Sequence, residues 1–392
     1  MSRILRDIII GSCACMMLVL AGCSDDAPES TGQTRSHELR MSLGTHPYSI
    51  TREAGDMPTG FELYNHETAP AKIMQIQGYM TFWDTDGSKW DVVPTAFTHE
   101  ETEAPSHIWT SKVALKTLGE SASYYFYGYL PKESVTGSVT IAPKGDEAQA
   151  NGYAKGAVMT FNNLDAILPK DICVIVGAQG YGATGHTEVP DMSSRLGVFS
   201  YNPDTEGDNI FLLVEHLYAG MTFNFRLDET YSHLRQIKVK KVRLIPAGNS
   251  VVNRVNIKVN IVANSEGKDP ISTDAGGSVV YTPQSTTSAT PVTIFDDEQQ
   301  LTTTYQPVFG YICPADDTIE GNKTFTLETT YDVYDTDDIL IREGETARNA
   351  ITLTGDVVAG RMRIVNITVQ PTYLYVLSNP DLDNPTFQIS SE

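Results

Sequence analysis

The sequence predicts an all-β protein, two Greek-key β-sandwich domains behind an export signal and a flexible tether. Three observations carry this expectation. From residue 72 onward, short apolar or alternating runs are separated by Gly, Pro, Asn and Asp turns, the pattern of sandwich strands. Only residues 111–120 and 228–236 have a helical pattern, and both are short. About 340 residues follow the tether, long for one sandwich, so two domains are expected.

In chain order, Arg3 and Arg6 precede an apolar run of 13 residues from Ile8 to Leu20. A helix crossing the hydrocarbon needs about 20, so residues 1–22 read as a secretory signal. The run ends in Leu20-Ala21-Gly22-Cys23, which resembles a bacterial lipobox. There small residues admit the signal peptidase, and the Cys23 thiol accepts diacylglycerol and, with it, palmitate. Lipidation anchors a chain without making it span. Ser24-Asp25-Asp26 resembles the acidic export signal of Bacteroidales surface lipoproteins, and the Pro-, Ser- and Thr-rich tract to Thr34 is a flexible tether. Residues 23–52 are therefore tether and pro-segment with a first strand.

Residues 53–203 form the expected N-terminal sandwich and 204–369 the C-terminal one, divided at the polar, turn-rich stretch from Tyr201 to Asn209. In the first, alternating runs flank Asp86-Gly87, a strong hairpin signal. "SYYFYGYL", "GSVTIAP", "GAVMTF" and "DICVIVGA" follow as strands. In the second, the strands are "NIFLLVEH", "MTFNFRL", "KVKKVRLIP", "RVNIKVNIVA", "SVVYTP", "TTYQPVFGYIC", the hairpin around Asp335 to Asp338, "ITLTG" and "RMRIVNITV". Residues 370–392 are a tail in which Tyr373, Tyr375 and Leu377 share one face and Leu374 and Val376 the other. A strand apolar on both faces suits burial in a groove; it equally suits the last strand of its own domain.

Charge and motifs exclude several function classes. The net charge of −21 repels nucleic-acid backbones and anionic lipid surfaces, so no nucleic-acid partner is expected. Gly180, Gly182 and Gly185 match G-x-G-x-x-G, but Pro190 falls where a phosphate-binding helix must begin. The segment reads as a loop between strands. Eight scattered histidines include no H-E-x-x-H, and "DTDGSKWD" lacks the glutamate that completes an EF-hand. No C-x-x-C occurs, so no metal and no cofactor are expected. Cys173 and Cys313 read as two buried free thiols or a distant pair. No G-x-S-x-G or other catalytic constellation is present, so the chain reads as non-enzymatic.

Local phrases then accumulate. "YSITREAGDMP", "YYFYGYLP", "IFLLVEHLYAGMTFNFRL" and "VQPTYLYVLSNPDLDNPTF" occur in that order behind the lipobox. Together they resemble the fimbrillins, the type V pilin family of Bacteroidales. The resemblance implies transthyretin-like sandwiches and a stalk-type subunit delivered to the outer membrane by its lipid. It implies a trypsin-like protease that cuts after an arginine, here between Arg52 and Glu53, releasing the strand around Leu39, Met41 and Leu43. Arg35 and Arg40 also lie upstream of the first secure strand, and a cut at Arg40 would fall within the strand that is lost. It also implies a donor strand at Tyr373, Leu374, Tyr375, Val376 and Leu377, extended by Thr386 to Ile389. That strand fills the groove of a neighbouring pilin subunit in a cell-surface fimbrium that meets host or bacterial receptors. A lipid-retained anchor or tip subunit is the first alternative. A surface glycan-binding lipoprotein is the second, against which only Trp83, Trp90 and Trp109 are available for stacking sugars.

Overall fold

A computed structural model describes residues 37–45, 55–56, 74–83, 90–99, 108–113, 123–145, 152–167, 170–180, 195–248, 250–288, 290–312, 324–352, 359–372 and 381–391. The strands begin with β1 (His37–Thr45), β2 (Gly55–Asp56), β3 (Met74–Trp83), β4 (Trp90–His99), β5 (Ile108–Val113), β6 (Tyr124–Leu130) and β7 (Ser138–Pro143). They continue as β8 (Gly156–Asp165), β9 (Cys173–Gly180), β10 (Ser200–Tyr201), β11 (Asn209–His216), β12 (Ala219–Leu227), β13 (Gln236–Pro246) and β14 (Ser250–Val262). The last are β15 (Ser278–Ser288), β16 (Val292–Gln300), β17 (Gln306–Ile312), β18 (Thr324–Tyr334), β19 (Leu340–Thr352), β20 (Arg361–Thr372) and β21 (Asp381–Ser391). The single-turn helices α1 (Pro203–Glu206) and α2 (Glu229–Ser232) begin at the caps Asn202 and Asp228, whose side chains accept from Asp204 N and Tyr231 N.

Among the described residues, four sheets hold these strands. The largest runs β10-β6-β3-β4-β5-β1-β11-β9, and β9 also pairs back to β6 through Tyr129↔Val174 and Leu130↔Cys173. Pairing from β6 to β9 therefore runs full circle, which removes the free edges an open sheet would present. Neighbours in this ring are antiparallel except β1 and β11, which are parallel. A second sheet, β15-β14-β8-β7, lays Met159, Phe161, Val255, Ile257, Val259 and Ile261 into the same buried cluster as Phe126, Tyr127, Val174 and Leu212 of the ring. Residues 250–288, assigned by sequence to the C-terminal sandwich, thus pack in the first core. Strand alternation says which face is apolar but not which strand lies alongside.

The second core lies between the sheets β17-β12-β20, with β2 and β21 along the outer edge of β20, and β16-β13-β18-β19. In β13, Ile237 and Val239 are buried, then Val242 and Leu244. The alternation slips at Lys240-Lys241, and register shifts there against both β16 and β18 absorb the extra residue. The bulge keeps the apolar face inward on both sides of the lysine pair. The helix expected at residues 111–120 does not form at its start. Ser111–Val113 continues the "IWTSKV" alternation in β5, held by pairing with β1; residues 114–120 lie outside the described residues.

Candidate functional site

The candidate site is the place of β1 in the ring. Its residues Arg40 to Thr45 pair with Asn209 to Val214 of β11, and His37 to Ser42 pair with Val113 to Ile108 of β5. Leu39 is buried in the first core. On its far side β11 is paired to β9, and every residue of β11 is buried. Burial of every residue means that both faces of β11 are covered, which explains why "NIFLLVEH" is apolar nearly throughout instead of alternating. Removing β1 would leave two walls, β5 and β11, each with a row of unpaired N–H and C=O groups. Buried backbone groups of this kind demand a partner.

The next described residues after β1 are Gly55–Asp56, which pair with Met362 and Arg361 of β20 in the second sheet system. The chain thus passes from the ring to the second core across residues 46–54. Arg52 and Glu53 belong to that stretch and lie outside the described residues, as do Cys23 and Tyr373 to Leu377. Arg40 lies inside β1, opposite Asn209 on one side and Thr110 on the other. Of the glycine motif, Gly180 is the last residue of β9 and its N–H points to Glu206 Oε1. Gly182 and Gly185 lie outside the described residues, as does Cys313.

The C-terminal segment is seated on its own chain. In β21, Thr386 to Ile389 pair with Gln370 to Ile367 of β20. Phe387 enters the second core, its ring centroid 4.9 Å from that of Tyr331. Tyr231 donates to Leu382 O at 2.5 Å, Asn349 Nδ2 to Phe387 O at 2.9 Å, and Arg235 pairs with Asp383 at 2.7 Å.

One constellation was not legible from spacing. Asp171, Cys173 and His216 converge where β9 begins and β11 ends, and Cys173 and His216 are direct partners in the ladder. His216 Nδ1 is 2.8 Å from Asp171 Oδ2, and Cys173 Sγ is 3.2 Å from His216 Nδ1 and 3.6 Å from Asp171 Oδ2. All three are buried, at 1 %, 1 % and 2 % exposure. Burial pushes the Cys173 thiol well above its ordinary pKa, and the negative charges of Asp171 and Glu215 push it further. The group is therefore a protonated thiol, not a poised nucleophile. Residues 173 and 216 are brought together only by strand pairing, so no motif search along the chain finds them.

No family model and no curated protein matches the chain. Among solved structures it is similar to a fimbrial protein from Bacteroides vulgatus ATCC 8482, at 11% identity over 91% of this chain and 99% of that one, with a TM-score of 0.36. A putative cell adhesion protein from Bacteroides uniformis ATCC 8492 matches at 10% identity over 93% and 99%, TM-score 0.36. The fimbrial anchor protein Mfa2 from Porphyromonas gingivalis matches at 8% identity over 91% and 98%, TM-score 0.25. Likeness at this level assigns no role to any residue; the case for a function rests on this chain's own strands and their pairing.

Proposed function

We propose that the chain is a structural pilin subunit of a cell-surface fimbria. In this reading it is exported as a lipoprotein precursor on Cys23, cut between Arg52 and Glu53 by a trypsin-like protease, and polymerised by strand exchange. The tether and two Greek-key domains of the sequence expectation belong to the same reading. One observation carries it: β1 is an N-terminal strand set between β5 and β11 as a stave of a closed ring. A cut after Arg52 severs β1 from the body while β2 stays paired to β20. The vacated slot then offers two unpaired backbone edges and the space left by Leu39.

An extended strand from a second subunit satisfies both edges at once, with backbone hydrogen bonds for affinity and side-chain pockets for specificity. Insertion of one subunit's tail into the next subunit's slot is heterologous, so it extends into a filament and does not close. The donor in this reading is Tyr373 to Leu377 with Thr386 to Ile389, and its use requires β21 to leave β20. The seating of β21 on its own chain favours a second reading, a terminal anchor or tip subunit that donates no strand.

The test is the N-terminus and intact mass of the protein sheared from the cell surface. The stalk reading expects a chain beginning at Glu53, without lipid, that ladders in mild detergent. A chain beginning at acylated Cys23 overturns it in favour of a retained anchor or a surface lipoprotein of another kind.

A further inference from the structure

We infer that Asp171, Cys173 and His216 form a buried binding site for one divalent transition-metal ion, with zinc the best fit. The donor atoms of the three side chains lie within 4.8 Å of one another, and all belong to buried residues. Thiolate sulfur, imidazole nitrogen and carboxylate oxygen together suit zinc. Around a tetrahedral zinc such donors lie about 3.3–3.6 Å apart. The Cys173–Asp171 distance of 3.6 Å already meets this, and Cys173–His216 at 3.2 Å nearly does. The His216–Asp171 distance of 2.8 Å is that of a hydrogen bond with its proton in place. Exchange of that proton for a metal moves the carboxylate outward by about half an ångström.

A second observation points the same way. Asp171 Oδ1 is buried without a hydrogen-bond partner, and an unsatisfied buried carboxylate oxygen is costly. Held through both oxygens, whose short bite distorts the tetrahedron, Asp171 would give with Sγ and Nδ1 a set of four donor atoms. Charge also balances. Zinc offsets the thiolate and the Asp171 carboxylate, so the metal and its three ligands are neutral together. On binding, Cys173 loses its thiol proton to solvent and donates a sulfur lone pair. The proton displaced from His216 Nδ1 is carried on Nε2, which has no other partner, so the imidazole binds as a neutral ligand through Nδ1, and no electrons are transferred. Because the donors are sealed from solvent, the metal enters as the chain folds.

The full chain is unfolded in denaturant and refolded with cobalt(II), with zinc(II), or with a chelator. The expected result is one tightly held metal per chain, a higher melting temperature than the chelator-treated protein, and a sulfur-to-cobalt charge-transfer band. That band vanishes in Cys173→Ser and persists in Cys313→Ser. Should Cys173→Ser not refold, Asp171→Asn serves instead, with an affinity at least about tenfold lower. A refolded wild-type chain without the band, or a band that follows Cys313 instead of Cys173, overturns the assignment. Both readouts are independent of filament formation.

Discussion

At the scale of single residues, Glu328 is the most instructive group in the second core. It is 2 % exposed on β18, between Arg243 of β13 and Arg348 of β19, and both guanidinium groups bond to it. Burial acts to raise its pKa, but hydrogen bonds and charge from the two arginines outweigh this and hold it below the ordinary value. A carboxylate lowered on folding stabilises the native state above its unfolded pKa, about 4.3. That stability is lost as pH falls through the lower folded value. Glu328→Gln should therefore cost about 1–2 kcal/mol near neutral pH, the lower part of the range for charged hydrogen bonds because both arginines are solvent-screened. Urea midpoints of wild type and variant should stay separated from about pH 7 to 5 and converge below about pH 4. A gap that persists in acid would mean that the glutamine disturbs packing, not charge. None of this triad was legible beforehand. The sequence shows Arg243, Glu328 and Arg348 far apart, and only the β13-β18-β19 register lines them up.

At the scale of elements, much was legible, because alternation is a local property. Strands β3 and β4 flank the Asp86-Gly87 signal as expected, β6, β9, β11, β13 and β20 fall on the quoted runs, and β18 and β19 flank the hairpin expected around Asp335 to Asp338. The strand β16, "VTIFDDEQQ", carried no such signal, since its second half is acidic and exposed. Pairing with β13 through Leu244, Val242 and Lys241 holds it in place instead. For β1 the rough alternation of Leu39, Met41 and Leu43 announced a strand, but its position between β5 and β11 came only from the structure. That position makes a prediction. A chain beginning at Glu53 should expose apolar surface, seen as increased binding of a fluorescent hydrophobic probe. A synthetic peptide of residues 37–45 should reverse the signal and raise the melting temperature, since a ligand that binds only the native state stabilises it by mass action. A peptide with Leu39 replaced by Asp should do neither. If the truncated chain binds no probe and ignores the peptide, the ring has closed over the gap and no acceptor slot exists.

At the scale of the whole molecule, the two cores are not consecutive in the chain. The first contains Ile210 to Tyr218, then Val252 to Ile271, while Met221 to Leu244 between them belong to the second. Strand β14 pairs with β8 through Arg254 to Val262, so a segment that follows β13 returns to complete the first core. A boundary chosen from polar composition at Tyr201 to Asn209 could not reveal this, because composition marks a turn-rich surface and says nothing about later returns. The consequence is testable with fragments. Residues 53–203 lack β1, β11, β14 and β15, and with them Leu212, Val255, Ile257, Val259 and Ile261 of the first core. Each such side chain contributes about 1.5–3 kcal/mol when buried, and a domain's net stability is only about 5–15 kcal/mol. The fragment should therefore show no cooperative thermal transition and a flat near-ultraviolet circular dichroism spectrum. A chain of residues 37–392 should show both signatures of a packed core. Cooperative melting of the short fragment would mean that the returning segment is an accessory to the first core, and the sandwich would then be separable at residue 203 after all.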